Sequence, residues 1–393
     1  MVKLYLRPKK EESVLRFHPW IFSGAISHSD GNPEEGDLVE IYDSQKRFLA
    51  IGHCQVGSIA VRILTFKEES IDKNFWKKRF KHAYNLRKQL QLVNPPYNDT
   101  FRLIHGEGDG MPGLIVDVYA GTAVMQAHSP GMHLARIELA EALKETMGGD
   151  IHNIYYKSES TLPFKADLDA ENDYLSGGKQ VSNIATECGI KFYIDWIKGQ
   201  KTGFFIDQRE NRVLLEKYAK GRSVLNMFCY TGGFSCYAMR GNARLVHSVD
   251  SSSKAIKLTN DNVELNFPGD LRHQSFAEDA FKYLEKMGDQ YDLIILDPPA
   301  FAKHRNVLKN ALQGYRKLNA IAFEKIKPGG IIFTFSCSQV VTKENFRLAV
   351  FSAAAQSKRT VKILHQLTQP SDHPIDIYHP EGEYIKGLVL YVE

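Results

Sequence analysis

Cysteine is scarce: the 393 residues hold five (Cys54, Cys188, Cys229, Cys236 and Cys337), and no two form a C-x-x-C pair. An odd, scattered set argues against a secreted disulfide framework and against a structural zinc site, so no metal is expected. Long apolar runs are missing too. The longest stretch free of Asp, Glu, Lys, Arg and His, Ser223 to Met239, spans 17 residues and contains Asn226, Thr231 and Gly232-Gly233, which a bilayer helix disfavours. The opening MVKLYLRPKKEE is charged and has no apolar stretch after it, so a signal peptide is not expected. A cytoplasmic protein without membrane contact is the resulting expectation. Internal repeats, low-complexity tracts and the G-x-G-x-x-G dinucleotide fingerprint are also lacking.

The net charge is only +4, but it is unevenly spread. Between Ile71 and Lys88 lie Lys73, Lys77, Lys78, Arg79, Lys81, Arg87 and Lys88 against a single acid, Asp72. Such a cluster suits phosphates, although a solvated helix face has the same composition.

Hydrophobic patterning divides the chain into three expected domains. Residues 1–70 carry short strands at Leu38–Asp43, Arg47–Cys54 and Ser58–Phe66 between turn signals, giving a small all-β module. Residues 71–180 read as α+β: a basic helix from Asp72 to about Leu92, strands at Leu114–Tyr119, Thr122–His128 and Ile151–Lys157, and a helix over His133–Met147. Residues 169–180 read as a surface connection. Residues 181–393 alternate strands (Ser223–Phe228, Arg244–Asp250, Tyr291–Asp297, Gly330–Ser336) with helical runs, the pattern of a doubly wound parallel α/β sheet.

Chemistry-bearing residues gather where those strands end, the usual ligand edge of such a sheet. The loop from Asn226 to Ser235 contains Gly232-Gly233 and lets backbone amides approach a ligand. Asp250 closes the second strand, where a carboxylate can accept two ribose hydroxyls. This pair suits S-adenosylmethionine or a nicotinamide cofactor. Asp279, in Phe276–Phe281, either meets an adenine amino group or opposes a helix dipole. Asp297-Pro298-Pro299 forms a rigid acid-headed turn suited to a planar base, with Phe301 as a stacking face. Cys337, between Ser336 and Ser338, is a candidate nucleophile, whereas Cys229 and Cys236 read as packing residues.

Together these residues resemble the class I S-adenosylmethionine-dependent methyltransferases. More narrowly, the chain resembles the RlmI-like large-subunit ribosomal RNA cytosine-5 methyltransferases. The matching stretches are His18–Gly24, Gly203–Asn211, the glycine loop, Leu296–Phe301, Ser336–Ser338 and Glu381–Gly387, in the family's order across nearly the whole chain. The resemblance implies an N-terminal PUA-like domain, a central α+β domain and a Rossmann-like catalytic domain. It implies cofactor contacts at Gln208, Arg209, Phe228, Tyr230, Gly232, Asp250, Ser251, Asp279 and Asp297. Pro298, Phe301, Lys77, Lys78, Arg79 and Lys81 would meet RNA. Catalysis would fall to Cys337, attacking carbon-6 of cytosine, and to Asp297 at ring nitrogen 3; a homodimer is allowed for. One rival keeps the cofactor and methylates a base nitrogen, leaving Cys337 as packing. A second is a non-catalytic RNA-binding assembly factor.

Overall fold

A computed structural model describes residues 1–163, 168, 171–178, 182–302 and 304–393. The chain forms two compact units: Met1–Gly189 with Ile194–Ile206 and Ser371–Gly382, and Ile190–Tyr193 with Asp207–Pro370 and Glu383–Glu393.

The first unit, which also takes in 182–189 and Ile194–Ile206 of the stretch read as catalytic domain, holds two larger sheets, each with its own hydrophobic core. A six-stranded sheet is ordered Trp20–Phe22, Ile59–Thr65, Phe48–Cys54, Leu38–Tyr42, Val2–Leu6 and Ile26–Ser29. Alternation along these strands buries Leu4, Leu6, Val39, Ile41, Val61 and Ile63 together. The strand Leu38–Tyr42 stops where Asp43 Oδ1 accepts hydrogen bonds from the backbone amides of Gln45 and Arg47, closing a turn.

The second sheet of this unit runs Asp173–Ser176, Asn153–Tyr156, Thr122–Ala127, Leu114–Tyr119 and Thr100–His105, packed against helices Lys73–Gln89 and Arg136–Met147. Asp72 caps the first of these helices by accepting from the Phe75 amide at 2.9 Å. Two elements depart from expectation. The connection read over 169–180 lies partly outside the described residues, and its Asp173–Ser176 portion is an edge strand of four residues, too short to show an alternating pattern. Ser371–Gly382, read as part of the catalytic domain, belongs to this unit. There the buried Arg87 donates to the Asp372 carbonyl at 2.8 Å, and the Asp372 carboxylate accepts from the Arg102 amide at 2.8 Å.

In the second unit the strands are β1 (Ser223–Met227), β2 (Leu245–Asp250), β3 (His273–Ala277), β4 (Leu293–Leu296), β5 (Gly330–Ser336), β6 (Val361–Leu367) and β7 (Lys386–Val392). Its helices are α1 (Arg209–Ala219), α2 (Gly233–Arg240), α3 (Ser253–Asn266), α4 (Ala280–Lys286), α5 (Leu308–Lys325) and α6 (Lys343–Ser357). The sheet order is β3-β2-β1-β4-β5-β7-β6, parallel through β5. β7 is inserted antiparallel between β5 and β6, so the sheet is mixed rather than wholly parallel. The central strand β4 reads as a continuous apolar run because both of its faces are covered, and all residues of β1 and β4 are buried. Between β1 and β4 the strand order reverses direction, opening a crevice at the carboxyl ends of β1, β2, β4 and β5.

Candidate active site

The glycine loop begins where β1 ends. Phe228, Tyr230 and Gly232 all take positive φ, at 59°, 46° and 75°. Three left-handed residues within five positions bend the chain sharply, and neighbouring side chains hold the bend. The Thr259 hydroxyl donates to the Tyr230 carbonyl at 2.9 Å, and Asn262 Nδ2 donates to the Thr231 carbonyl at 2.8 Å. Gly232 is required on two counts: its φ is positive, and a Cβ there would lie 2.7 Å from Thr259 Cγ2.

This bend delivers the Tyr230 amide to Asp250, whose Oδ2 accepts it at 3.1 Å while Oδ1 accepts the Ser252 amide at 2.9 Å. Each carboxylate oxygen is thereby oriented by one backbone bond and keeps capacity for another donor. Asn226 Oδ1, Asp207 Oδ1 and Thr334 Oγ1 are buried without a partner among the described residues. Buried polar atoms of this kind are usually satisfied by an ordered water or a ligand.

A second group forms around Asp297, just beyond β4. Gln208 Nε2 donates to Asp297 Oδ2 at 3.1 Å, and Gln208 Oε1 accepts from Asn211 Nδ2 at 2.6 Å, so α1 fixes the amide that fixes the acid. Burial, reinforced by the nearby Asp207 carboxylate, pushes the Asp297 carboxyl up to about 7, against the opposing pull of Arg212 and Gln208. Tyr384 donates to Asp207 Oδ2 at 2.7 Å.

Cys337 follows β5, the neighbour of β4. Its thiol points to the Asp297-Pro298 turn, 4.0 Å from the Pro298 carbonyl oxygen, and it is partly exposed. The serines beside it are structural: Ser336 Oγ donates to the Tyr315 hydroxyl at 2.9 Å, and Ser338 Oγ donates to the Ala302 carbonyl at 2.5 Å. Burial pushes the Cys337 thiol up to about 12, with Asp297 and Asp207 adding to the rise and Lys386 opposing it. Lys386 is buried and donates to the carbonyls of Ser338 at 2.5 Å and Tyr384 at 2.7 Å.

The fold thus brings together Gln208, Asp297, Pro298 and Cys337 in one group, and Tyr230, Gly232 and Asp250 in another. Phe228 borders the loop and packs partly on the core, Arg209 is buried in the first turn of α1, and Ser251 is exposed beyond β2. Asp279 is committed in part to capping α4, its Oδ1 accepting from the Lys282 amide at 3.0 Å. Cys229 and Cys236 are buried, as their reading as packing residues requires.

Two readings need correction. Phe301 is not a free stacking face: its ring lies 4.7 Å from that of Tyr315 and sits over Gly314, where a Cβ would approach it to 3.0 Å. The basic cluster of the first unit is partly spent internally. Lys77 pairs with Glu145 at 3.0 Å, and Arg79 donates to the Leu64 carbonyl at 2.8 Å, whereas Lys78 and Lys81 are exposed. Adjacent positions point about 100° apart around a helix, so Lys77 reaches Glu145 of the helix Arg136–Met147 while its neighbour Lys78 faces water. Sequence reasoning assigned no role to Asp207, Tyr384 or Lys386. Their signal was their place inside Gly203–Asn211 and Glu381–Gly387, the two stretches already singled out.

Comparison with known proteins shows the family. The sequence model of the S-adenosylmethionine-dependent methyltransferases matches residues 155–382, and that of the PUA-like domain matches residues 4–66. The chain is 40% identical to Ribosomal RNA large subunit methyltransferase I of Aeromonas hydrophila, over 98% of each chain. It is 38% identical to the protein of that name from Alteromonas mediterranea, over 99% of this chain and 98% of the other. A solved chain described as a methyltransferase complexed with SAH shares the fold with a TM-score of 0.85 over 100% of both chains at 23% identity. The protein therefore belongs to the S-adenosylmethionine-dependent methyltransferase family, in the branch that contains Ribosomal RNA large subunit methyltransferase I, and S-adenosylmethionine is its cofactor.

Proposed function

We propose that this enzyme methylates carbon-5 of a cytosine in large-subunit ribosomal RNA through a transient bond between Cys337 and the base. The observation that carries the reading is the meeting of thiol and acid across adjacent strand ends, with Cys337 Sγ 4.0 Å from the carbonyl oxygen of Pro298, which directly follows Asp297. The RNA target follows from the name of the relatives, which are 40% identical and match end to end.

The cofactor, when bound, supplies an electrophilic methyl group. Asp250 is suited to its ribose hydroxyls, Tyr230 and Gly232 to its methionine end and Asp279, through the oxygen left by the cap, to its adenine. The unpartnered oxygens of Asn226 and Asp207 offer acceptors for its donors. Gln208, Arg209, Phe228 and Ser251 border this set.

Carbon-5 of cytosine is a weak nucleophile until the ring is activated. Attack of the Cys337 thiolate on carbon-6 shifts the carbon-5 to carbon-6 π electrons into an enamine and makes carbon-5 nucleophilic. Charge then develops towards nitrogen 3. An Asp297 carboxyl held near 7 retains a proton to donate there at neutral pH, and the Gln208–Asn211 relay keeps it aimed. The target base must leave its stack to enter the crevice, with Pro298 lining the turn that receives it. Lys78 and Lys81 are the members of the basic cluster suited to phosphates.

The deciding experiment incubates the enzyme and cofactor with ribosomal RNA carrying 5-fluorocytidine, which blocks release after methyl transfer. A covalent protein–RNA adduct in the wild type, absent in Cys337→Ala, supports the reading. Methylation that survives in Cys337→Ala would move the reaction to a base nitrogen. The same reading assigns the protein to the cytoplasm and allows a homodimer, which light scattering resolves.

A further inference from the structure

The mechanism above needs a thiolate at a sulfur whose surroundings oppose one. Cys337 faces Asp297 and Asp207, two acids that raise the cost of a negative sulfur, and Tyr315 is also close enough to be influenced by its charge. Lys386 is the basic group that opposes them.

Lys386 is itself an unusual residue. It is 5% exposed, on β7, and lies opposite Ser336 of β5 in the antiparallel ladder, one residue before Cys337. Its Nζ donates to the carbonyl of Ser338, one residue after Cys337, and to that of Tyr384. Two N–H bonds are thus committed to carbonyl oxygens. The tetrahedral nitrogen keeps one further position, filled by a proton in the ammonium and by a lone pair in the amine. Its charged neighbours are Cys337, Glu383 and Lys343, and the last two pair with each other at 2.5 Å. Burial lowers the ammonium to about 8, so both protonation states are reached near neutrality.

We propose that Lys386 is the proton partner of Cys337, taking the thiol proton as the sulfur attacks the base. The thiol bonds the Pro298 carbonyl and not Nζ itself, so the proton crosses through a water: the Sγ–H bond breaks, the water takes that proton and gives up another, and a new N–H bond forms on Lys386. The sulfur keeps the electron pair and uses it to bond carbon-6. Net charge inside the site is unchanged, which matters because a lone buried thiolate and a lone buried ammonium are each costly while the two formed together offset one another. The assignment rests on Cys337 being the nucleophile, and it makes Lys386 a residue acting through that sulfur rather than on the base.

The test reads thiol acidity without RNA. Cys337 alkylation by iodoacetamide is followed by peptide mass spectrometry across pH in the wild type, Lys386→Met and Lys386→Arg. In Lys386→Met the rate at about pH 8 should fall about tenfold, equivalent to a shift of about one pH unit, with the fold verified by circular dichroism. Lys386→Arg, which restores charge but cannot accept a proton, should recover alkylation and not methyl transfer. An unchanged alkylation profile in folded Lys386→Met overturns the proposal and leaves Lys386 as a strand clamp.

Failure here is separable from failure of the functional reading. A fluorocytidine adduct with an unmoved thiol profile discards only the role of Lys386. A shifted profile without an adduct keeps the pair and discards cytosine-5 chemistry.

Discussion

Gln208 Nε2 donates to Asp297 Oδ2 at 3.1 Å, tying the start of α1 to the acid that follows β4. This bond favours the ionised acid and opposes the rise caused by burial. Gln208→Leu should therefore push the Asp297 carboxyl higher still while releasing its orientation. The expected outcome is a loss of about tenfold in kcat, with the alkaline limb of the pH–rate profile moved upward. Steady-state methylation across pH measures both effects.

Asp297 also links stability to pH. A carboxyl held near 7 when folded, against an ordinary value of 3.8, is harder to ionise in the native state than in the unfolded chain. The unfolded state then gives up its proton first as pH rises, so this group lowers stability progressively from about pH 4 to about pH 7, and the deficit persists above. Asp297→Asn should abolish methyl transfer yet raise stability at about pH 8 by on the order of 1–3 kcal/mol, with little gain near pH 4. Urea unfolding at both pH values checks the sign, and a Tm that falls at the higher pH would refute it.

Gly232 offers a packing test. In Gly232→Ala the new methyl meets Thr259 Cγ2 at 2.7 Å in a left-handed backbone, which should cost about 1–3 kcal/mol and weaken cofactor binding. Adding Thr259→Ser removes Cγ2 and keeps the hydroxyl that bonds the Tyr230 carbonyl, so it should recover part of the affinity. Calorimetric titration of S-adenosylmethionine into the two variants gives the comparison.

The basic helix divides into cations facing water and cations bound within the protein. Lys78→Glu with Lys81→Glu should weaken RNA binding and flatten its dependence on log salt by about one unit for each phosphate no longer neutralised. Arg79→Ala, which removes the bond to the Leu64 carbonyl and the guanidinium lying 5.0 Å over the Phe75 ring, should instead lower Tm by a few degrees. Filter binding at several salt concentrations and thermal melts distinguish the two.

Elements with strong local signals were readable from the sequence. The apolar run at Gly330–Ser336 matches the strand read there because a strand covered on both faces leaves a continuous hydrophobic word. The helix read from Asp72 on its composition does begin there, where Asp72 caps it. Asp173–Ser176 gave no such signal, because an edge strand needs only backbone pairing on one side. The place of Ser371–Gly382 was equally hidden, since a buried bond from Arg87 to Asp372 joins residues 285 positions apart.

Residue type and order were enough to nominate Asp250, Asp297 and Cys337, because strand ends in an α/β sheet are where polar residues gather around a ligand. What only folding decided was their company. The rise of Asp297 to about 7 depends on Asp207 and on exclusion from water, and the pull of Lys386 on Cys337 depends on β7 running antiparallel beside β5. Acidity is set by distance and dielectric, and neither is written in the spacing of residues along a chain.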